Sequence, residues 1–107
     1  MKAYEILNSP EKWTKGTHFK NVEGVVLAPE SAKATCMCLE GAVILAYSYT
    51  IIELYRSWEY RRLEIAIEAK YGLTRLHANK CNLVASFNDH PETTFEEVVA
   101  LLKELDL

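Results

Sequence analysis

Along the last quarter of the chain, apolar residues recur at helical spacing on both sides of a polar tetrapeptide. Leu83, Val84 and Phe87 fall at i, i+1 and i+4, and Phe95, Val98, Leu102 and Leu105 at i, i+3, i+7 and i+10. That spacing predicts two short helices joined by Asn88-Asp89-His90-Pro91. Thr94 followed by Glu97 has the form of a capping box, in which each side chain accepts from the other residue's backbone N–H, so it marks the start of the last helix. Pro91 disfavours the α region at His90, and asparagine tolerates a left-handed backbone, so the tetrapeptide reads as the turn that re-aims the chain.

From the N-terminus, Tyr4, Ile6 and Leu7 open a short helix, and Ser9-Pro10-Glu11 caps a further helical turn that ends at Trp13. Between Thr14 and Leu27 the helical period is lost, and Thr14, Thr17, Phe19, Val22, Val25 and Val26 predict a small β-hairpin turning near Asn21 to Gly24. Pro29 closes that unit, and Ser31 is placed to cap a helix from Ala32 to about Tyr47 with Cys38, Leu39, Ala42, Val43 and Ala46 inward. Gly41 inside that helix costs about 1 kcal/mol against alanine, which points to close packing there. Thr50 with Glu53 repeats the capping-box pattern, Ser57 is a second cap, and Trp58, Leu63, Ala66, Ile67 and Tyr71 carry an apolar stripe to Gly72. Whether 51–71 is one kinked helix or two stays open at this level. The expected fold is a mainly α domain of about five helices with a short β-hairpin near residues 14–27.

Composition fits one domain of 107 residues, 50% hydrophobic and 25% charged. The longest apolar run, Ala42 to Ala46, is too short to span a bilayer, and Met1-Lys2-Ala3-Tyr4-Glu5 lacks a signal peptide's apolar core, so no membrane association and a cytoplasmic location are expected. Three cysteines do not close a disulfide framework, which agrees with a reducing compartment. Charge is uneven: residues 55–80 carry six Lys and Arg against three Glu, and residues 81–107 one Lys against six Asp and Glu. The two regions are expected to face each other within one fold.

Three clusters stand in series: Trp13-Thr14-Lys15-Gly16, Cys38-Leu39-Glu40-Gly41-Ala42, and Phe87-Asn88-Asp89. Their order and spacing resemble a family of small uncharacterised bacterial and phage proteins, a domain of unknown function marked by Trp-x-x-Gly, Cys-x-x-Gly-Ala and Trp-Asn-Asp. The chain departs from that pattern at Phe87, where the family has tryptophan, and at His18-Phe19-Lys20-Asn21, where it has Ala-Arg-Asp. The resemblance implies a mostly helical single domain with a small β element, and no activity.

Candidate chemistry divides between two places. Tyr55, Trp58, Arg61 and Arg62 lie in the densest aromatic and arginine stretch, and these residue types dominate binding hot spots. They point to a protein partner or a homodimer, while the acidic total argues against nucleic acid. Trp13, Asn88, Asp89 and His90 are the candidates for a small-ligand site, with a purely structural role for the Asn-Asp pair as the competing reading. Cys36 and Cys38, two apart on the predicted helix, face different ways, and no Cys-x-x-Cys or His-x-x-x-His pair is present, so neither a metal nor a cofactor is expected. Cys38 reads as core and Cys36 as the exposed thiol. No phosphate loop, nucleophile elbow or complete catalytic constellation is visible, which leans away from an enzyme. The reading is a non-enzymatic interaction or accessory protein. The alternative is a binder of a nucleotide-like ligand, with interference in host signalling as an analogy from the phage side of the resemblance.

Overall fold

Leu39, Ala42 and Val43 have no exposed surface and lie on the helix against which most of the chain packs. The structure is a computed structural model that describes residues 1–21, 23, 25–26, 35–73 and 83–107. Its elements are α1 (Ala3–Ile6), a 3-10 turn (Pro10–Lys12), β1 (Phe19–Lys20), β2 (Cys36–Met37), α2 (Leu39–Tyr47), α3 (Ile51–Tyr55), α4 (Trp58–Tyr71), α5 (Leu83–Asp89) and α6 (Phe95–Glu104). The chain is a mainly α domain with a two-stranded antiparallel element, and six α-helices are present among the described residues where about five were expected. Central α2 touches α1, α3 and α5, while α4 packs on α3 and α5, and α6 on α1. The first six of the nine residues of α2, Leu39 to Ile44, are all buried.

At α3, α4 and α6 the helix starts at the cap that the sequence placed there. Thr50 Oγ1 accepts from the Glu53 amide at 3.1 Å while Glu53 accepts from that of Thr50 at 2.9 Å. Thr94 and Glu97 repeat the exchange at 3.2 Å in each direction. Ser57 separates α3 from α4, its hydroxyl donating to the Leu54 carbonyl at 2.6 Å and accepting from the Tyr60 amide at 3.1 Å. The stretch 51–71 is therefore two helices. Gly72 ends α4 with φ 76° and ψ 154°, a conformation that a side chain would strain.

Three local expectations change. The helix expected from Ala32 begins at Leu39, and Cys36 and Met37 instead form β2, paired as Phe19↔Met37 and Lys20↔Cys36. A turn does form at Asn21, whose side-chain oxygen accepts from the amides of Glu23 and Val25 and whose amide donates to the Val25 carbonyl, and among the described residues Lys20 meets Val26 there in an isolated bridge. Pairing with β2 places Met37 opposite Phe19 in the core, whereas Val25 and Val26 stay exposed, so the pairing that hides more apolar surface forms the ladder. Asn88 and Asp89, expected in a loop, are the last residues of α5, and Asn88 does not take the left-handed conformation. Among the expected features, Pro29 and the Ser31 cap lie outside the described residues.

The oppositely charged regions do meet: Lys70 pairs with Glu104 at 2.6 Å, and Arg62 donates to the Leu105 carbonyl at 2.7 Å. Among the described residues, no helix is long and apolar enough to cross a membrane.

Candidate functional site

Asn88 ties the first and last quarters of the chain together. Its Oδ1 accepts from the Trp13 indole N–H at 2.7 Å and from the Leu39 amide at 3.0 Å, and its Nδ2 donates to the Thr14 carbonyl at 3.0 Å and to Asp89 Oδ1 at 2.9 Å. At 1% exposure the amide makes four hydrogen bonds within the protein. Asp89 Oδ1 also accepts from the Gly16 amide at 2.8 Å, and Lys15 reaches the His90 carbonyl at 2.6 Å with its ammonium 5.3 Å from the Trp13 ring centre. The His90 imidazole accepts from the Glu92 amide through Nδ1, which makes it a turn-closing group. Trp-x-x-Gly and Phe-Asn-Asp are thus two halves of one latch.

The third cluster completes the wall. Gly41 lies under the segment that carries His18: a Cβ there would stand 2.6 Å from the His18 carbonyl oxygen and 3.0 Å from the Met37 Cβ. Close packing was the expected reason for this glycine, and the neighbour that approaches is the β element. The Cys38 amide donates to the same His18 carbonyl at 3.1 Å, which seats His18 over the start of α2.

Between these pieces lies a cleft of about 310 Å³ whose walls include His18, Cys38, Glu40 and Asp89. Cys38 is the extended N-cap of α2, its sulfur accepting from the Gly41 amide at 3.4 Å. An N-cap side chain folds over the first helical turn, so Cys38 and Glu40 can meet although two residues within a helix would diverge. Glu40 is 3% exposed; Oε2 accepts from the Tyr60 hydroxyl at 2.7 Å, and Oε1 meets His18 Nε2 at 2.9 Å and accepts from the Tyr55 hydroxyl at 3.4 Å. That bond to Glu40 raises the His18 pKa against the opposing pull of burial. Burial pushes the Cys38 thiol up to about 12, the opposite of what a nucleophilic cysteine needs. Burial, then the charge of Glu40, raises both Tyr55 and Tyr60. An anionic ligand would meet two carboxylates here, Glu40 and Asp89, so the chemistry of the cleft suits a cation better than a phosphate.

A second region has the contrary character. On α3 and the start of α4, Ile52 is 66%, Tyr55 49% and Trp58 75% exposed, and a groove of about 560 Å³ runs beside them along Leu45, Tyr49, Ile51 and Ile52. Trp58, Arg61 and Ile65 share one stripe of α4, and Arg61 reaches Glu64 only at 3.8 Å. Arg62 is exposed and donates to the Leu105 carbonyl. Tyr55 belongs to both regions: its ring stands edge-on to Tyr60, with centres 5.1 Å apart, and its hydroxyl reaches Glu40.

Of the eight candidates read from sequence, the structure therefore brings Trp13, Asn88, Asp89 and His90 into one latch, with only Asn88 and Asp89 on the cleft wall, and leaves Tyr55, Trp58 and Arg61 exposed together. His18, Cys38 and Glu40 were not grouped by sequence. The available signal was the Cys-x-Glu spacing, which converges only when the cysteine caps the helix.

No curated protein and no solved structure matches the chain. A family model matches residues 1–105, nearly the whole chain and all three clusters that build the latch and the cleft. This chain belongs to that family, a family of unknown function, DUF6197.

Proposed function

We propose that this chain is a non-enzymatic interaction module that docks a protein partner on the apolar face of α3 and α4. The observation that carries the reading is the 75% exposure of Trp58 beside Ile52 and Tyr55. Covering large side chains of this kind contributes about 1.5–3 kcal/mol each, and Trp, Tyr and Arg are the residues that concentrate binding energy. The partner is one with an apolar centre and an acidic rim. Arg56 and Arg61 are exposed around the patch, Arg56 forms no ion pair among the described residues, and Arg61 is held only loosely by Glu64. Complementary carboxylates would speed encounter and fix the register of docking.

A photo-cross-linking amino acid placed at position 52, 58 or 96 tests this in the cells that make the protein. The expected result is one defined protein adduct from 52 and 58, absent from the exposed control position 96 and weakened when Arg56 and Arg61 are replaced by glutamate. Adducts of the chain with itself, together with a dimer mass, would replace the partner by a second copy. The same adducts from all three positions would reject the surface.

A further inference from the structure

We propose that His18, Cys38 and Glu40 form a binding site for a divalent transition-metal ion of the zinc class, open to the cleft on one side. The proposal does not rest on the docking reading, although Tyr55 touches both places.

The donor atoms already converge. One ring nitrogen of His18, the sulfur of Cys38 and a carboxylate oxygen of Glu40 all lie within 4.8 Å of one another, with His18 Nε2 and Glu40 Oε1 at 2.9 Å. Zinc bond lengths of about 2.0–2.3 Å place tetrahedral ligands roughly 3.3–3.7 Å apart, so an adjustment of about 1 Å seats the ion. The supporting shell is also present. The Tyr60 hydroxyl at 2.7 Å holds Glu40 by Oε2 and turns Oε1 toward His18, and the Cys38 sulfur is anchored by the Gly41 amide. Outer partners of this kind orient metal ligands.

Charge argues for the same occupant. Glu40 is a buried carboxylate whose oxygens meet two tyrosine hydroxyls and one imidazole and, among the described residues, no lysine or arginine. Asp89 adds a second carboxylate to the same cleft. Buried anions without a full cationic partner favour uptake of a cation. The mixed nitrogen, sulfur and oxygen donors select a borderline metal over magnesium or calcium, which take oxygen ligands. Three protein ligands leave one position of a tetrahedron facing the cleft, with room for water. On binding, the thiol proton of Cys38 passes to solvent and the metal takes its place on sulfur.

The test is titration of the full chain, freed of metal by a chelator, with Co²⁺ followed by absorption and with Zn²⁺ followed by calorimetry. The expected result is one ion per chain, with a thiolate-to-cobalt charge-transfer band and the strong visible bands of a tetrahedral site. Cys38→Ser abolishes the charge-transfer band while α2 persists, because serine is a favoured N-cap; circular dichroism checks the helix. His18→Gln weakens Zn²⁺ by at least the ~10-fold that loss of an outer partner costs. Cys36→Ser changes neither reading. The absence of saturable one-to-one binding, a cobalt spectrum without a thiolate band, or a band that survives Cys38→Ser or vanishes with Cys36→Ser would each overturn the proposal.

Discussion

In the cleft, Asn88 is 1% exposed and every polar atom of its side chain is bonded, whereas on α3 and α4 Trp58 is 75% exposed and Ile52 66%. One region was built by closing polar groups against each other and the other by leaving apolar groups open. Asn88 holds distant parts of the chain together, and Trp58 leaves apolar surface uncovered. The clusters at 13–16, 38–42 and 87–89 all fall in the first region.

Substitutions separate the regions by the size of their effects. Asn88→Ala leaves the Trp13 indole, the Leu39 amide and the Thr14 carbonyl without their partner, and is expected to lower unfolding free energy by roughly 3–5 kcal/mol in urea titrations, since each orphaned buried group costs about 1–3 kcal/mol. Gly41→Ala is expected to destabilise by about 1–3 kcal/mol although alanine is the better helix former, because its Cβ meets the His18 carbonyl and the Met37 side chain. Stabilisation by the roughly 1 kcal/mol of helix propensity would show that the β element yields easily.

A smaller effect follows pH. The folded His18 pKa is raised, chiefly by the bond to Glu40, so the pair's stabilisation is complete below the unfolded value near 6.5 and is lost as pH rises through the folded value. In chelator-treated protein, unfolding free energies of wild type and His18→Gln are expected to converge as pH rises through that window. A constant gap would assign His18 a packing role only. Smallest of all, Trp58→Ala and Ile52→Ala are expected to change stability by no more than about 0.5 kcal/mol in the same titrations. A loss comparable to that at Asn88 would mean that the face is part of the core, and the contrast between the regions would fail.

What the sequence makes legible follows the range of the interaction. The caps at Thr50, Ser57 and Thr94 are readable because donor and acceptor lie three residues apart. The exposed cluster at Tyr55, Trp58 and Arg61 is readable for a related reason, since one short stretch supplies it. Asn88 is conspicuous as a residue, but three of its four partners lie 49 to 75 positions away, and nothing local distinguishes a saturated amide from one that waits for a ligand. Cys38 was hidden by a boundary error: inside a helix it would diverge from Glu40, and only its N-cap conformation, set by β2 pairing just before it, brings the two together.

The latch also carries a consequence for the order in which the molecule forms. Its bonds from Trp13, Lys15 and Gly16 to the end of α5 span 73 to 75 residues, while the contacts among α2, α3 and α4 are between neighbours in sequence. Closing so long a loop loses chain entropy before any bond compensates it, so local helix pairs assemble early and the latch late. The wall of the cleft that Asn88 and Asp89 supply is then completed late, after the segments that carry His18, Cys38 and Glu40 have paired.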